Sequence, residues 1–139
     1  MPSPYTLDAA KDVPAMLAAC PVPCIVTYRP TWEGGQYGGE EEPRLAALWT
    51  AVEAGAAYVD CELLAAERFF AAAPEGVKEA SSTKIILSNH HYDKVPSDDE
   101  LADIHARCVA GRLALFTTLF RGQNTVHFMT VRNHSDTRE

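Results

Sequence analysis

Cys24–Tyr28 reads CIVTY and runs straight into Arg29–Gly35, RPTWEGG. A short apolar run rich in β-branched residues, closed by turn residues, predicts a strand of the buried kind found in parallel sheets. Downstream, Leu45, Leu48, Trp49, Val52 and Ala56 recur at helical spacing. The alternation then repeats: Ala57–Leu63 (AYVDCEL) predicts a second strand, Leu64–Ala73 a helix, Thr83–Ser88 (TKIILS) a third strand and Ser97–Ala110 a long helix. Ser97 and Glu100 form a capping box, in which each side chain satisfies a backbone donor at the helix start. Upstream, Leu7–Cys20 predicts a helix with Thr6 as its N-cap, despite Pro14, and Pro21 and Pro23 end it. Strand centres lie roughly 30 residues apart, the average repeat of eight βα units in about 250 residues. The class is α/β, and the order βαβαβα suits either a doubly wound open sheet or a (β/α)8 barrel.

The first βα turn separates these two weakly. A dinucleotide fold needs G-x-G-x-x-G between strand and helix, whereas this turn has Gly34, Gly35, Gly38 and Gly39 followed by Glu40, Glu41 and Glu42. Three carboxylates there would repel a pyrophosphate, so the glycines read as loop flexibility. Beyond Ala110 the character changes. Gly111–Phe120 and Asn124–Arg132 favour β structure, no strong helix follows, and His134–Glu139 is a polar end.

Composition narrows the function classes. A formal charge of -7 argues against nucleic acid or an anionic membrane as a general partner, because phosphate binding needs clustered Lys and Arg. Cys20, Cys24, Cys61 and Cys108 contain no C-x-x-C pair and read as free thiols. Met1–Val13 lacks the apolar segment of a secretory signal and carries Asp8 and Asp12 where a transit peptide would be rich in Arg and Ser. The longest C-terminal apolar stretch, Leu113–Phe120, is too short for a membrane span. As written, the chain reads as soluble and cytoplasmic.

In βα folds function collects where strands end at their C-terminal side. The first strand delivers Arg29 and Glu33 there, the second Asp60 and Glu62, the third Asn89, His90 and His91. His90 is the candidate general acid/base, since imidazole exchanges a proton near neutral pH and Glu33 could orient it. A loop histidine without a role is the alternative. Arg29 could meet a substrate oxygen or simply bridge to Asp60 or Glu62. Neighbouring histidines in an extended segment point oppositely, so His90 and His91, even with Asp93 or His105, make a poor metal site. No cysteine lies beside an evident activating base. Lys84 precedes the third strand, at the opposite end from the rim; Lys94 is on the correct side, as a solvated charge or an activated amine.

Val26–Gly39 (VTYRPTWEGGQYGG), Gly55–Leu63 (GAAYVDCEL) and Lys84–Leu101 (KIILSNHHYDKVPSDDEL) resemble, in order and spacing, type I 3-dehydroquinate dehydratases. They look most like the dehydratase domain of plant bifunctional enzymes that also carry shikimate dehydrogenase. The similarity runs from about Leu7 to Ala110. It implies a (β/α)8 barrel that converts 3-dehydroquinate to 3-dehydroshikimate and water in the shikimate pathway, on the way to chorismate and the aromatic amino acids, without a cofactor or metal. In such enzymes a lysine forms an imine, or Schiff base, with the substrate ketone, and a histidine removes the acidified proton and assists loss of water. The resemblance assigns that histidine to His90, the carboxylate that orients it to Glu33, and a substrate-contacting arginine to Arg29.

The departures shape the expectations. Family members have an earlier strand ending in Glu-x-Arg, which precedes the match. They continue after the helix near Ala110 with G-A-D-I-V-K, whose lysine forms the imine, where this chain has Gly111–Phe116 (GRLALF). The expected organisation is therefore a partial TIM barrel of about three βα units over residues 1–110, truncated, with a divergent, non-family tail over 111–139. The expected function is dehydratase by family, impaired or inactive as this chain; a noncatalytic fragment that associates with a protein partner or with itself through exposed barrel edges is the alternative. A plastid location is expected if a full-length plant protein supplies a transit peptide.

Overall fold

The computed structural model describes residues 7–110 and the backbone of 114–120 and 127–130. In chain order the elements are α1 (Ala9–Ala19), β1 (Ile25–Thr27), α2 (Glu41–Glu53), β2 (Tyr58–Glu62), α3 (Ala66–Ala71), α4 (Val77–Ala80), β3 (Lys84–His91), α5 (Asp98–Ala110), β4 (Ala114–Phe120) and β5 (His127–Thr130). The strands lie side by side in that order; β1 to β4 are parallel, and β5 returns antiparallel to β4. The three βα units follow the sequence reading. The β-favouring runs after Ala110 supply β4 and β5 within narrower bounds, whereas His134–Glu139 falls outside the described residues.

Strand alternation sorts the side chains. Val59 and Cys61 of β2 and Ile85 and Leu87 of β3 join the core with Leu45, Leu48, Trp49 and Val52 of α2, Phe69 of α3 and Ile104 and Cys108 of α5. Asp60 and Glu62, and Ile86, Ser88 and His90, take the opposite face, because successive side chains point to opposite sides of a sheet. Trp49 stacks on Phe69 at 4.5 Å and donates from Nε1 to Phe69 O at 2.8 Å, so its one polar group is satisfied inside the core. Among the described residues no helix is long and apolar enough to cross a membrane.

Three local readings change. The N-cap of α1 is Asp8, whose N–H donates to the Asp12 carboxylate at 2.9 Å, while Thr6 falls outside the described residues. β3 does not stop at Ser88 but continues through Asn89, His90 and His91, because β4 offers backbone partners as far as the His91–Phe120 pair. The glycines of the first βα turn answer to geometry rather than flexibility. Gly34 has φ +79°, and a Cβ on Gly35 would stand 2.1 Å from Arg29 O. Gly35 N–H donates to Pro30 O at 2.9 Å and Tyr37 N–H to Arg29 O at 3.2 Å, which closes the turn tightly. Glu41 and Glu42 then occupy the first turn of α2, where carboxylates suit the helix dipole.

The capping box forms as read: Glu100 N–H donates to Ser97 Oγ at 3.3 Å and Ser97 N–H to Glu100 Oε2 at 2.8 Å. Lys94 adds a 2.5 Å ion pair to the same carboxylate. Lys94 first, then Ser97, hold Glu100 down at about 2, below the ordinary 4.5. A carboxylate depressed on folding adds stability that is present above its ordinary value and lost as pH falls through the folded one. The stability gap between the native chain and Glu100→Gln, read from urea denaturation, should therefore exist above about pH 4.5 and close towards pH 2. A gap that stays constant over that range would contradict the role given to the Glu100 charge.

Candidate active site

Arg29 leaves the end of β1 and reaches across two strands. Its Nη2 lies 2.5 Å from Asp60 Oδ2 of β2, and its Nη1 donates to Glu62 Oε1 at 3.0 Å and to Ser88 Oγ of β3 at 2.7 Å. Both Nη1 hydrogens and one on Nη2 are thereby used; among the described residues the Nε–H and the second Nη2–H are the donors left for a substrate oxygen. Nη1 also stands 3.5 Å from Glu33 Oε2. The bridge to Asp60 and Glu62, one of the two alternatives in the sequence, is thus present, and it leaves capacity for the other.

Behind Glu62 stands Arg44, fully buried although it belongs to a helix. Its Nη1 is 2.6 Å from Glu62 Oε2 and donates to Tyr28 O at 2.9 Å, and its Nη2 pairs with Glu41. Burial works against the Arg44 cation, but Glu41 and Glu62 outweigh it and hold its pKa above the ordinary value. Burial is also the leading influence on Glu62: it pushes that carboxyl up, against the pull of Arg44 and Arg29.

The tight turn Thr31–Gly35 brings Glu33 back over the rim, 4% exposed. Its Oε2 lies 2.8 Å from His90 Nδ1 at the end of β3. An ionised carboxylate only accepts, so Nδ1 carries the ring proton and Nε2 is the nitrogen free to exchange one. Tyr92, two residues further on, lies nearly parallel to the His90 ring at 6.3 Å.

The structure therefore brings together Arg29, Glu33, Asp60, Glu62 and His90. Asn89 is not part of this group: with β3 continuing through it, its side chain falls on the helix-facing side, buried. His90, His91, Asp93 and His105 form no metal site, and among the described residues no three His, Cys, Asp or Glu side chains do. The cysteines are free. Burial pushes the Cys61 thiol up and raises Cys108 to about 11, so neither is poised as a nucleophile. Lys94 is half exposed and bound to Glu100, which raises its pKa, the wrong direction for an activated amine.

Two contributors escaped the sequence reading. Arg44 precedes Leu48 and Val52 by four and eight residues, which puts it on the buried stripe of α2; that phase was the available signal. Ser88 belonged to a strand and gave none. Replacing Arg44 by Met should cost about 3–5 kcal/mol in urea denaturation, since it leaves the buried Glu62 charge short of a partner. Arg44→Met combined with Glu62→Leu should recover much of that loss; a double variant no more stable than the single one would contradict the pairing.

A family model described as Type I 3-dehydroquinase matches residues 5–112. The chain is 40% identical over 97 residues to the bifunctional 3-dehydroquinate dehydratase/shikimate dehydrogenase, chloroplastic, of Arabidopsis thaliana, covering 70% of this chain and 16% of that protein. It is 37% identical over 109 residues to the 3-dehydroquinate dehydratase of Methanocaldococcus jannaschii, covering 75% and 47%. It thus spans less than half the length of each. Among solved structures, the type I 3-dehydroquinate dehydratase of Clostridium difficile superposes with a TM-score of 0.64 at 21% identity, covering 73% of this chain and 40% of that one. The 3-dehydroquinate dehydratase of Geobacillus kaustophilus gives 0.63 at 22%, covering 79% and 46%. At such identities the structures speak for the fold: of the two architectures left open by the βα repeat, this one is the barrel, in part.

Proposed function

The chain belongs to the type I 3-dehydroquinase family, and from that premise we propose that it carries the proton-transfer part of a 3-dehydroquinate dehydratase site, acting on 3-dehydroquinate to give 3-dehydroshikimate and water. One observation carries the reading: the 2.8 Å contact of His90 Nδ1 with Glu33 Oε2, made between the two motifs that resemble the family's. In this reading Glu33 fixes the ring, His90 Nε2 takes the proton beside the substrate carbonyl and returns it to the departing hydroxyl, and Arg29 offers its spare N–H groups to substrate oxygen.

The imine is the missing element. The chain has four lysines, Lys11, Lys78, Lys84 and Lys94. Lys78 donates to Phe70 O, Lys94 is paired with Glu100, and Lys11 lies on α1. Lys84 is six residues from His90 along β3, about 20 Å at strand rise. β4, beside the strand of His90, reads ALFTTLF. None is placed as an imine-forming amine, so His90 faces an unactivated carbon acid and turnover by this chain falls by orders of magnitude. Residues 1–110 are proposed as the family-derived unit and 111–139 as the divergent tail. The chloroplastic relative supports a plastid location over the cytoplasmic one.

A second reading, noncatalytic association, is favoured by β1, an edge strand among the described residues whose Ile25 is 59% exposed; Val22 and Met16 are exposed as well. Sedimentation velocity showing only compact monomer across concentrations would sink it. For the first reading, titrating 3-dehydroquinate into 15N-labelled chain should shift the amides around Arg29, Glu33 and His90. Arg29→Lys should weaken that binding about tenfold, as expected for a charge-assisted hydrogen bond. No shifts at the rim, or shifts indifferent to Arg29→Lys, would contradict it.

A further inference from the structure

We propose that Tyr92 is a positioning residue for the His90–Glu33 pair, given its place beside them by the missing side chain of Gly34. The proposal rests on the dehydratase reading, in which the orientation of His90 matters. Tyr92 directly follows the end of β3, and its ring and that of His90 lie 6.3 Å apart at 11°. That is an offset stack at the wider end of the favourable range. Gly34 directly follows Glu33. A Cβ there would stand 2.3 Å from Tyr92 Cε2, 2.6 Å from Cζ and 2.8 Å from the hydroxyl oxygen, so any side chain would expel the ring. The Tyr92 ring therefore occupies the space that a side chain on Gly34, the neighbour of Glu33, would take, and lies nearly parallel to the imidazole at 6.3 Å.

Tyr92 is 45% exposed, which sets it apart from the core. Its placement is fixed instead by the chain around it. β3 ends at His91, and the segment beyond Tyr92 is fastened by buried Pro96 and by the Lys94–Glu100–Ser97 bonds at the start of α5. Lys94, read from the sequence as a solvated charge or an amine nucleophile, acquires a further part as the tie of this segment. In this proposal the Nδ1–Glu33 contact and the nearly parallel Tyr92 ring together restrict the imidazole and keep Nε2 directed away from Glu33.

Long-range 1H–15N correlation on histidine-labelled chain tests the proposal, because it reads which ring nitrogen of His90 carries the proton and how fast that proton exchanges. The native chain and Tyr92→Phe should both show the Nδ1–H form. Tyr92→Leu, which keeps bulk without a stacking ring, and Gly34→Ala should show mixed tautomers and about tenfold faster Nδ1–H exchange, the upper end of what one aromatic pair contributes. Tyr92→Leu with the tautomer and exchange of the native chain would overturn the proposal, whatever Gly34→Ala does. Glu33→Gln separates the two ideas. If it leaves the tautomer unchanged, the dyad reading fails; if it mixes the tautomers while Tyr92→Leu does not, the role of Tyr92 alone fails.

Discussion

The rim of this sheet depends on one buried carboxylate. Glu62 is fully buried between Arg29, from the end of β1, and Arg44, from α2. A lone carboxylate in that position would be untenable, and its raised pKa records the cost of burial. Two guanidinium groups make it tolerable, and in doing so they tie three elements together. Arg29, once anchored on Glu62, reaches Asp60, Ser88 and Glu33 with the rest of its fork. Such a network contributes less to net stability than its short contacts suggest, because desolvation offsets most of the attraction. What it supplies is linkage: Arg29 joins β1 to β2 and β3, and Arg44 joins α2 to Glu62 of β2 and to Tyr28.

The second constraint is steric. Glu33 reaches His90 because the chain after β1 doubles back within a few residues, and the turn closes only with glycine at 35, where a side chain would strike the Arg29 backbone. The residue whose guanidinium organises the carboxylates thus also shapes, through its main chain, the turn that delivers the partner of His90. Electrostatics and turn geometry meet in Arg29, which links the Glu33–His90 contact to the buried network.

Much of this was legible in the sequence, for identifiable reasons. β-branched runs at a steady spacing announced β1, β2 and β3, and the Ser97/Glu100 spacing announced the start of α5, because those signals are local. The placement of Arg29, Glu33 and His90 at one rim followed from strand polarity. What failed was non-local. The extension of β3 through His91 depends on pairing with β4, which no property of Asn89 or His90 encodes. The phase of Arg44 on the buried stripe of α2 was legible, but its partners Glu62 and Tyr28 are distant in sequence. The glycines were visible, but their purpose depends on the Arg29 backbone and the Tyr92 ring closing on them in space. Family resemblance pointed to His90 and Glu33, which the structure brings into contact; only the three-dimensional arrangement showed Arg29 shared among three carboxylates.

Of the chemistry proposed for this rim, the Glu33–His90 contact and the arginine are assembled, whereas no lysine of this chain is placed to supply an imine nitrogen. Lys94 is the decisive residue, since it is the lysine on the rim side and the structure commits it to Glu100. The most direct measurement is borohydride reduction of the chain in the presence of 3-dehydroquinate, followed by intact mass and peptide mapping. The account predicts an unmodified mass, since no lysine reaches the ketone as a free amine. A mass increase matching one reduced substrate adduct, mapped to Lys94 or to any other lysine, would contradict it.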